Sequence, residues 1–139
     1  MRSKTPLVLM EQMVMVLIFA VAAAICLRVF VLTDERSRRY EEVDEAVITA
    51  QSAAERLKHD ADAYLEEISA VCDGNVWTAQ LDKNWEATAE NAVYRLVVAY
   101  EESDSPYLWR ASVRICTVEG EELFSLPVAG QREAVTQHG

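Results

Sequence analysis

Apolar positions along this chain follow three successive rules, and each rule predicts a different element. From Leu7 to Leu32 they are almost continuous, reading LVLMEQMVMVLIFAVAAAICLRVFVL, and Met13–Leu27 holds no charge, Gly, Pro or amide. A helix that crosses a bilayer needs about 20 mainly apolar residues. Hydrocarbon leaves backbone groups only each other as partners, so residues 7–32 predict a transmembrane helix. Two charges interrupt the run. Arg28 lies near its end, where the stem can reach the headgroups. Glu11 lies one turn inside, where an ionised carboxylate is costly and normally has a partner or a task.

The second rule is an alternation of three and four. Tyr40, Val43, Val47, Ala50, Ala54, Leu57, Ala61, Tyr64 and Ile68 lie on one narrow seam of a helix, and most other positions there are charged or small. A thin, alanine-rich seam reads as a helix packed lengthwise against something else. Its first part, Tyr40 to Ala50, is expected to lie too near the membrane to touch a following domain, which leaves it to a partner helix. No Pro occurs between Leu7 and Pro106 and no Gly before Gly74. The helix is therefore expected to run to residue 72, with Cys72-Asp73-Gly74-Asn75 as its cap and turn.

Beyond Gly74 the period is two. Val76 to Leu81 predicts a strand, followed by a turn at Asp82-Lys83-Asn84 and a short strand from Trp85. Ala92 to Glu101 predicts another, with Tyr94, Leu96, Val98 and Tyr100 on one face. After the turn at Ser103-Asp104-Ser105-Pro106, Tyr107 to Val118 points Trp109, Ala111, Val113 and Ile115 inward and Arg110, Ser112, Arg114 and Cys116 outward. Glu119-Gly120-Glu121 turns the chain again, and Pro127 confines Leu123 to Val128 to a sheet edge. The fold class is α+β, a long N-terminal helix packed on a small antiparallel sheet of about four strands. The segments are a basic tail over 1–6, a transmembrane helix over 7–32, an amphipathic helix over 33–72, a sheet over 73–130 and a polar tail over 131–139.

Charge changes the picture of partners. The chain has 139 residues and a net charge of −10. Residues 1–33 carry a net +2, so the rest carries −12. Nucleic-acid binding needs basic side chains to displace counterions, which argues against such a partner. The acidic remainder suits a solvated surface that repels anionic lipid headgroups, and the lipid bilayer is the expected partner of residues 7–32. Arg36, Arg38 and Arg39 either touch lipid phosphates or lie on a solvated face. Candidate chemistry is sparse. His59 and His138 have no ligand spacing to any cysteine, no Ser or Cys has a base at a recognisable spacing, and four scattered glycines build no phosphate loop. No catalytic residue, metal or cofactor is expected. Trp77, Trp85 and Trp109 can form a ligand patch, with core filling the better reading for at least Trp109. Cys26 reads as packing. Cys72 and Cys116 can form one disulfide outside the cytoplasm, although the outward register of Cys116 argues against it.

A short basic leader, LVLMEQMVMVLIFAVAAAICL, an amphipathic helix and a small sheet together resemble the type IV pilin superfamily of prepilins, pseudopilins and minor pilins. The resemblance covers residues 1 to about 70; over the sheet it is architectural. It implies leader cleavage between Pro6 and Leu7, which makes Glu11 the fifth residue of the mature chain. It further implies that Glu11 pairs with the N-terminal amine of a neighbouring subunit, and that subunits associate through their N-terminal helices. It also implies a cytoplasmic N-terminus and an external C-terminal domain, whereas the Arg and Lys count around the span favours the opposite orientation. The family carries Gly before the cut and this chain has Pro6. The alternative is thus an uncleaved single-pass anchor presenting an acidic α+β binding module. A third reading, a secreted protein cut after Ala22-Ala23-Ala24, is opposed by Glu11 and by the apolar stretch Ile25 to Leu32.

Overall fold

The computed structural model describes residues 4–132. One helix, α1 (Thr5–Glu67), precedes five strands: β1 (Val71–Asp73), β2 (Val76–Leu81), β3 (Tyr94–Glu101), β4 (Leu108–Thr117) and β5 (Glu122–Gln131). Internal contacts divide the chain into two units between Glu41 and Glu42.

The first unit is helix alone. Every described side chain from Lys4 to Glu41 is exposed, and the helix is long and apolar enough to cross a membrane. An apolar surface that nothing in the fold covers suits a single-pass membrane anchor. Thr33 does not start a new helix. Its hydroxyl donates to the Val29 carbonyl at 2.8 Å, so the backbone ladder passes through it. Asp34 and Arg38 then pair across one turn at 3.4 Å.

In the second unit the helix carries the cover and the sheet carries the base. Strands β1 to β5 form an antiparallel meander in sequence order. Ala79, Leu81, Leu96, Val98, Ala111, Val113, Ile115 and Val128 are buried on its inner face, against Ala46, Ala50, Ala53, Ala54, Leu57, Tyr64 and Leu65 of α1. The inward set on β3 and β4 follows the alternation of the sequence, with Trp109, Tyr94 and Tyr100 packed half-buried at its ends. Pro127 lies on β5, an edge strand, as expected.

Four features differ from the sequence expectation, each for a local reason. First, Tyr40 of the seam is 70 % exposed while Ala46 and Ala50 are wholly buried, so the helix covers the sheet domain from Ala46 onward, earlier than the sequence pattern suggests. Second, α1 is interrupted at Asp60 (φ −156°, ψ 95°), whose carboxylate accepts the Ala63 N–H at 3.1 Å. That is an N-cap without a preceding Pro or Gly. Third, the helix ends at Glu67 rather than 72. Ser69 adopts φ +53°, its N–H reaches the Glu66 carbonyl at 3.0 Å, and the Ala70 N–H reaches the Leu65 carbonyl at 2.9 Å. This Schellman pattern uses Ser where Gly is usual. Gly74, at φ +66°, instead turns the β1–β2 hairpin, and β1 becomes a fifth strand. Fourth, Trp85 opens no strand. The Asp82 carboxylate accepts the N–H of Asn84 at 2.8 Å and of Glu86 at 3.1 Å, which winds residues 82–86 into a loop, and only Ala87 bridges back to Leu81. At the other end, sheet pairing continues to the N–H of Arg132, 2.8 Å from the Tyr107 carbonyl; residues 133–139 of the expected tail lie outside the described residues.

Candidate functional site

Glu11 is exposed in the first quarter of α1 and makes no hydrogen bond or ion pair among the described residues. Its helical neighbours are Leu7, Val8, Val14 and Met15, with Ile18 beyond them and Lys4 at the N-terminal end of the same flank. The Pro6–Leu7 bond lies in the first turn of the helix, where the missing N–H of Pro6 leaves no acceptor unsatisfied.

In the second unit, polar chemistry collects where the helix meets β3. The Tyr94 hydroxyl donates to Glu42 Oε1 at 2.8 Å, and its ring stacks on Trp85 at 3.9 Å with 9° between planes. Burial, the hydrogen bond to Glu42 and the Glu42 charge push the Tyr94 hydroxyl up to about 12. Trp85 holds φ +66°, a left-handed conformation rare for a bulky residue, and the stack closes over it. Further along, Arg56 bonds Glu67 at 2.5 Å and lies 4.9 Å from the centre of the Tyr64 ring. Burial raises the Tyr64 hydroxyl, Arg56 opposes that and Glu67 adds to it. The helix and the 82–87 loop enclose a cleft of about 440 Å³ between Arg56, Trp85 and Leu96. A second cleft of about 440 Å³ opens at the sheet edge beside Thr78, Gln80 and Thr88.

The two cysteines of the sheet domain do not meet. Cys72 and Cys116 are free. They lie on β1 and β4, which the sheet order separates by three strand spacings, on the order of 14 Å. A disulfide requires Cα atoms within about 7 Å. The tryptophans do not gather into a patch either. Trp85 stacks on Tyr94, Trp109 meets Tyr100 edge-on at 6.0 Å, and Trp77 packs half-buried against the core. Among the described residues no three His, Cys, Asp or Glu side chains converge on a point that could hold a metal ion; His138 lies outside those residues.

The sequence pattern reads Arg110, Ser112, Arg114 and Cys116 as outward but does not show which residues of β3 stand beside them. On the two central strands, β3 presents Arg95, Val97, Ala99 and Glu101, and β4 presents Arg110, Ser112, Arg114 and Cys116. Arg114 Nε is buried and has no acceptor among the described residues. Arginine in outward strand positions is a visible signal, but its neighbours depend on cross-strand register. These surfaces suit binding: an exposed apolar helix with Glu11 set in it, and a two-layer domain whose outer sheet face carries arginine. Comparison with protein-family models, with characterised proteins and with solved structures gives no match to this chain.

Proposed function

We propose that the chain is a membrane-anchored, pilin-like structural subunit, of the minor-pilin or pseudopilin kind, that joins a filament or secretion apparatus by lateral packing of its N-terminal helix. It does no chemistry of its own. The N-terminus is cytoplasmic and the sheet domain lies outside the membrane. The observation that carries the reading is Glu11, a carboxylate with no partner among the described residues, in an apolar helix whose described side chains are all exposed. In hydrocarbon such a group is stable only when something neutralises it, and an amine from a neighbouring helix would do so. The helix-on-sheet outline of the second unit is pilin-like in general form and supports the same reading.

The test is Glu11→Ala in the full-length protein, with two differently tagged copies in one membrane. Insertion should be unchanged and recovery of one tag with the other should be lost; undiminished recovery would remove the assembly role. Pro6, where the resembled family carries Gly before the cut, favours a second reading, an uncleaved anchor that presents the acidic domain to a ligand. The mass of the mature N-terminus divides the two. A chain starting at Leu7 supports the processed subunit, and an intact Met1 supports the uncleaved anchor.

A further inference from the structure

The second unit has two unlike outer faces. Helix α1 covers the inner side of the sheet with its buried stripe, so the back of the helix and the outer sheet face lie on opposite sides of one two-layer domain. On the back of the helix, Ile48 is 59 % exposed. Asp44, Glu45, Ser52 and Glu55 lie around it at helical neighbour spacings, all exposed. An apolar centre with an acidic rim is the anatomy of a protein contact.

The outer sheet face has the complementary arrangement. Val97 and Ala99 provide an apolar centre, and Arg95, Arg110 and Arg114 stand about it. Arg95 makes one long contact, 3.4 Å to the Val118 carbonyl. The Arg114 Nε donor is buried without an acceptor among the described residues. Glu101 opposite Arg110, and Asp73 and Glu122 at the margins, are the acidic groups on that side. The dimensions agree. Arg95 and Arg110 are separated along the strands by about 20 Å, and Asp44 and Glu55 are separated along the helix by about 16 Å.

We propose that the outer sheet face of one copy docks on the back of helix α1 of a second copy, Val97 against Ile48, with the three arginines facing Asp44, Glu45 and Glu55. The inference rests on the subunit reading above and names the contact between sheet domains that would accompany helix packing. Because the two surfaces differ, the contact is heterologous and repeats from copy to copy in one direction, closing into a ring only if the rotation permits. Opposed charges set the register and make the contact salt-sensitive.

The experiment uses cysteine-free, full-length copies with two tags, co-expressed and oxidised in isolated membranes. One copy carries Ile48→Cys and the other Val97→Cys. The mixed 48–97 adduct should exceed the 48–48 and 97–97 adducts by about tenfold, the ratio expected of a difference of about 1.4 kcal/mol between pairings. Arg110→Glu on the Val97→Cys copy should cut it about fivefold, and Glu55→Arg on the other copy should restore it. Restoration also shows that both charge variants fold. Equal yields of like and unlike pairs, an adduct indifferent to Arg110→Glu, or attachment of Val97→Cys to a different protein would each overturn the contact. Recovery of one tag with the other, scored on the same membranes, separates the two proposals. Recovery without the mixed adduct removes the front-to-back contact and leaves the subunit reading, whereas loss of both removes both.

Discussion

The indole of Trp109 occupies the space that a side chain at position 130 would need. Gly130 faces it across the β4–β5 pair, and a Cβ there would lie 2.5 Å from Cε2 and Cζ2 and 2.6 Å from Nε1. The ring can sit there only because residue 130 has no side chain, and from there it meets Tyr100 edge-on at 6.0 Å. Gly130→Ala would push the indole off the inner face and cost about 1–3 kcal/mol. Thermal unfolding of the full-length protein in detergent checks this. An unchanged midpoint would mean that the ring swings aside freely.

The alanines of α1 set how closely the helix approaches the sheet. Ala46 and Ala50 are wholly buried, and neither has room for a larger side chain without moving the helix away. Ala50→Leu should therefore destabilise the fold by about 1–3 kcal/mol. Tyr40→Ala, at a position 70 % exposed, should stay within about 0.5 kcal/mol of the parent. Equal effects at the two positions, measured by denaturant midpoint, would place the helix–sheet boundary wrongly.

Much of this architecture was legible because alternation is strong where one face is buried. Leu96, Val98, Val113 and Ile115 read as inward and are buried; the outward run on β4 is equally clear. Legibility fails where the pattern is weak or the cause is not local. β1 is three residues long with all of them exposed, so it has no period to read. Ala46, Ala53 and Leu65 are buried outside the expected seam, because alanine marks a stripe faintly and the break at Asp60 resets the phase after it. Trp85 looks like a strand residue by type, and the Asp82 carboxylate decides otherwise. Glu11 stood out as one charge in an apolar run. The arginine face showed only in its β4 half, since Arg95 joins Arg114 only through the pairing of β3 with β4.

The helix break makes its own prediction. Asp60 caps the final turns of α1 through the Ala63 N–H, and Ala in its place would leave that donor to water. Asp60→Ala should cost about 1 kcal/mol, while Asp60→Ser or Asp60→Asn should cost little. If Ala at this position instead raises the unfolding midpoint, the helix prefers to run straight and the break stores strain.

Tyr94 ties stability to alkaline pH. An unfolded tyrosine releases its proton near 10, whereas burial and the bond to Glu42 hold Tyr94 protonated to about 12. Between those values the unfolded chain binds fewer protons than the folded one, so unfolding is favoured as pH rises. The contribution is complete below about 10 and is lost as pH climbs through about 12. Tyr64 and Tyr100 are shifted upward as well, by burial first, and act in the same sense. Absorbance of tyrosinate in the full-length protein should show a late-titrating group. Glu42→Gln keeps an acceptor but removes the charge, so it should bring that group down towards 10 without reaching it, because burial is the larger cause. Tyr94→Phe should abolish the late step, leave the Trp85 stack in place and lower stability at neutral pH by about 1 kcal/mol through the lost hydrogen bond. A late step that survives in Tyr94→Phe would assign it to another tyrosine and remove Glu42 from the account.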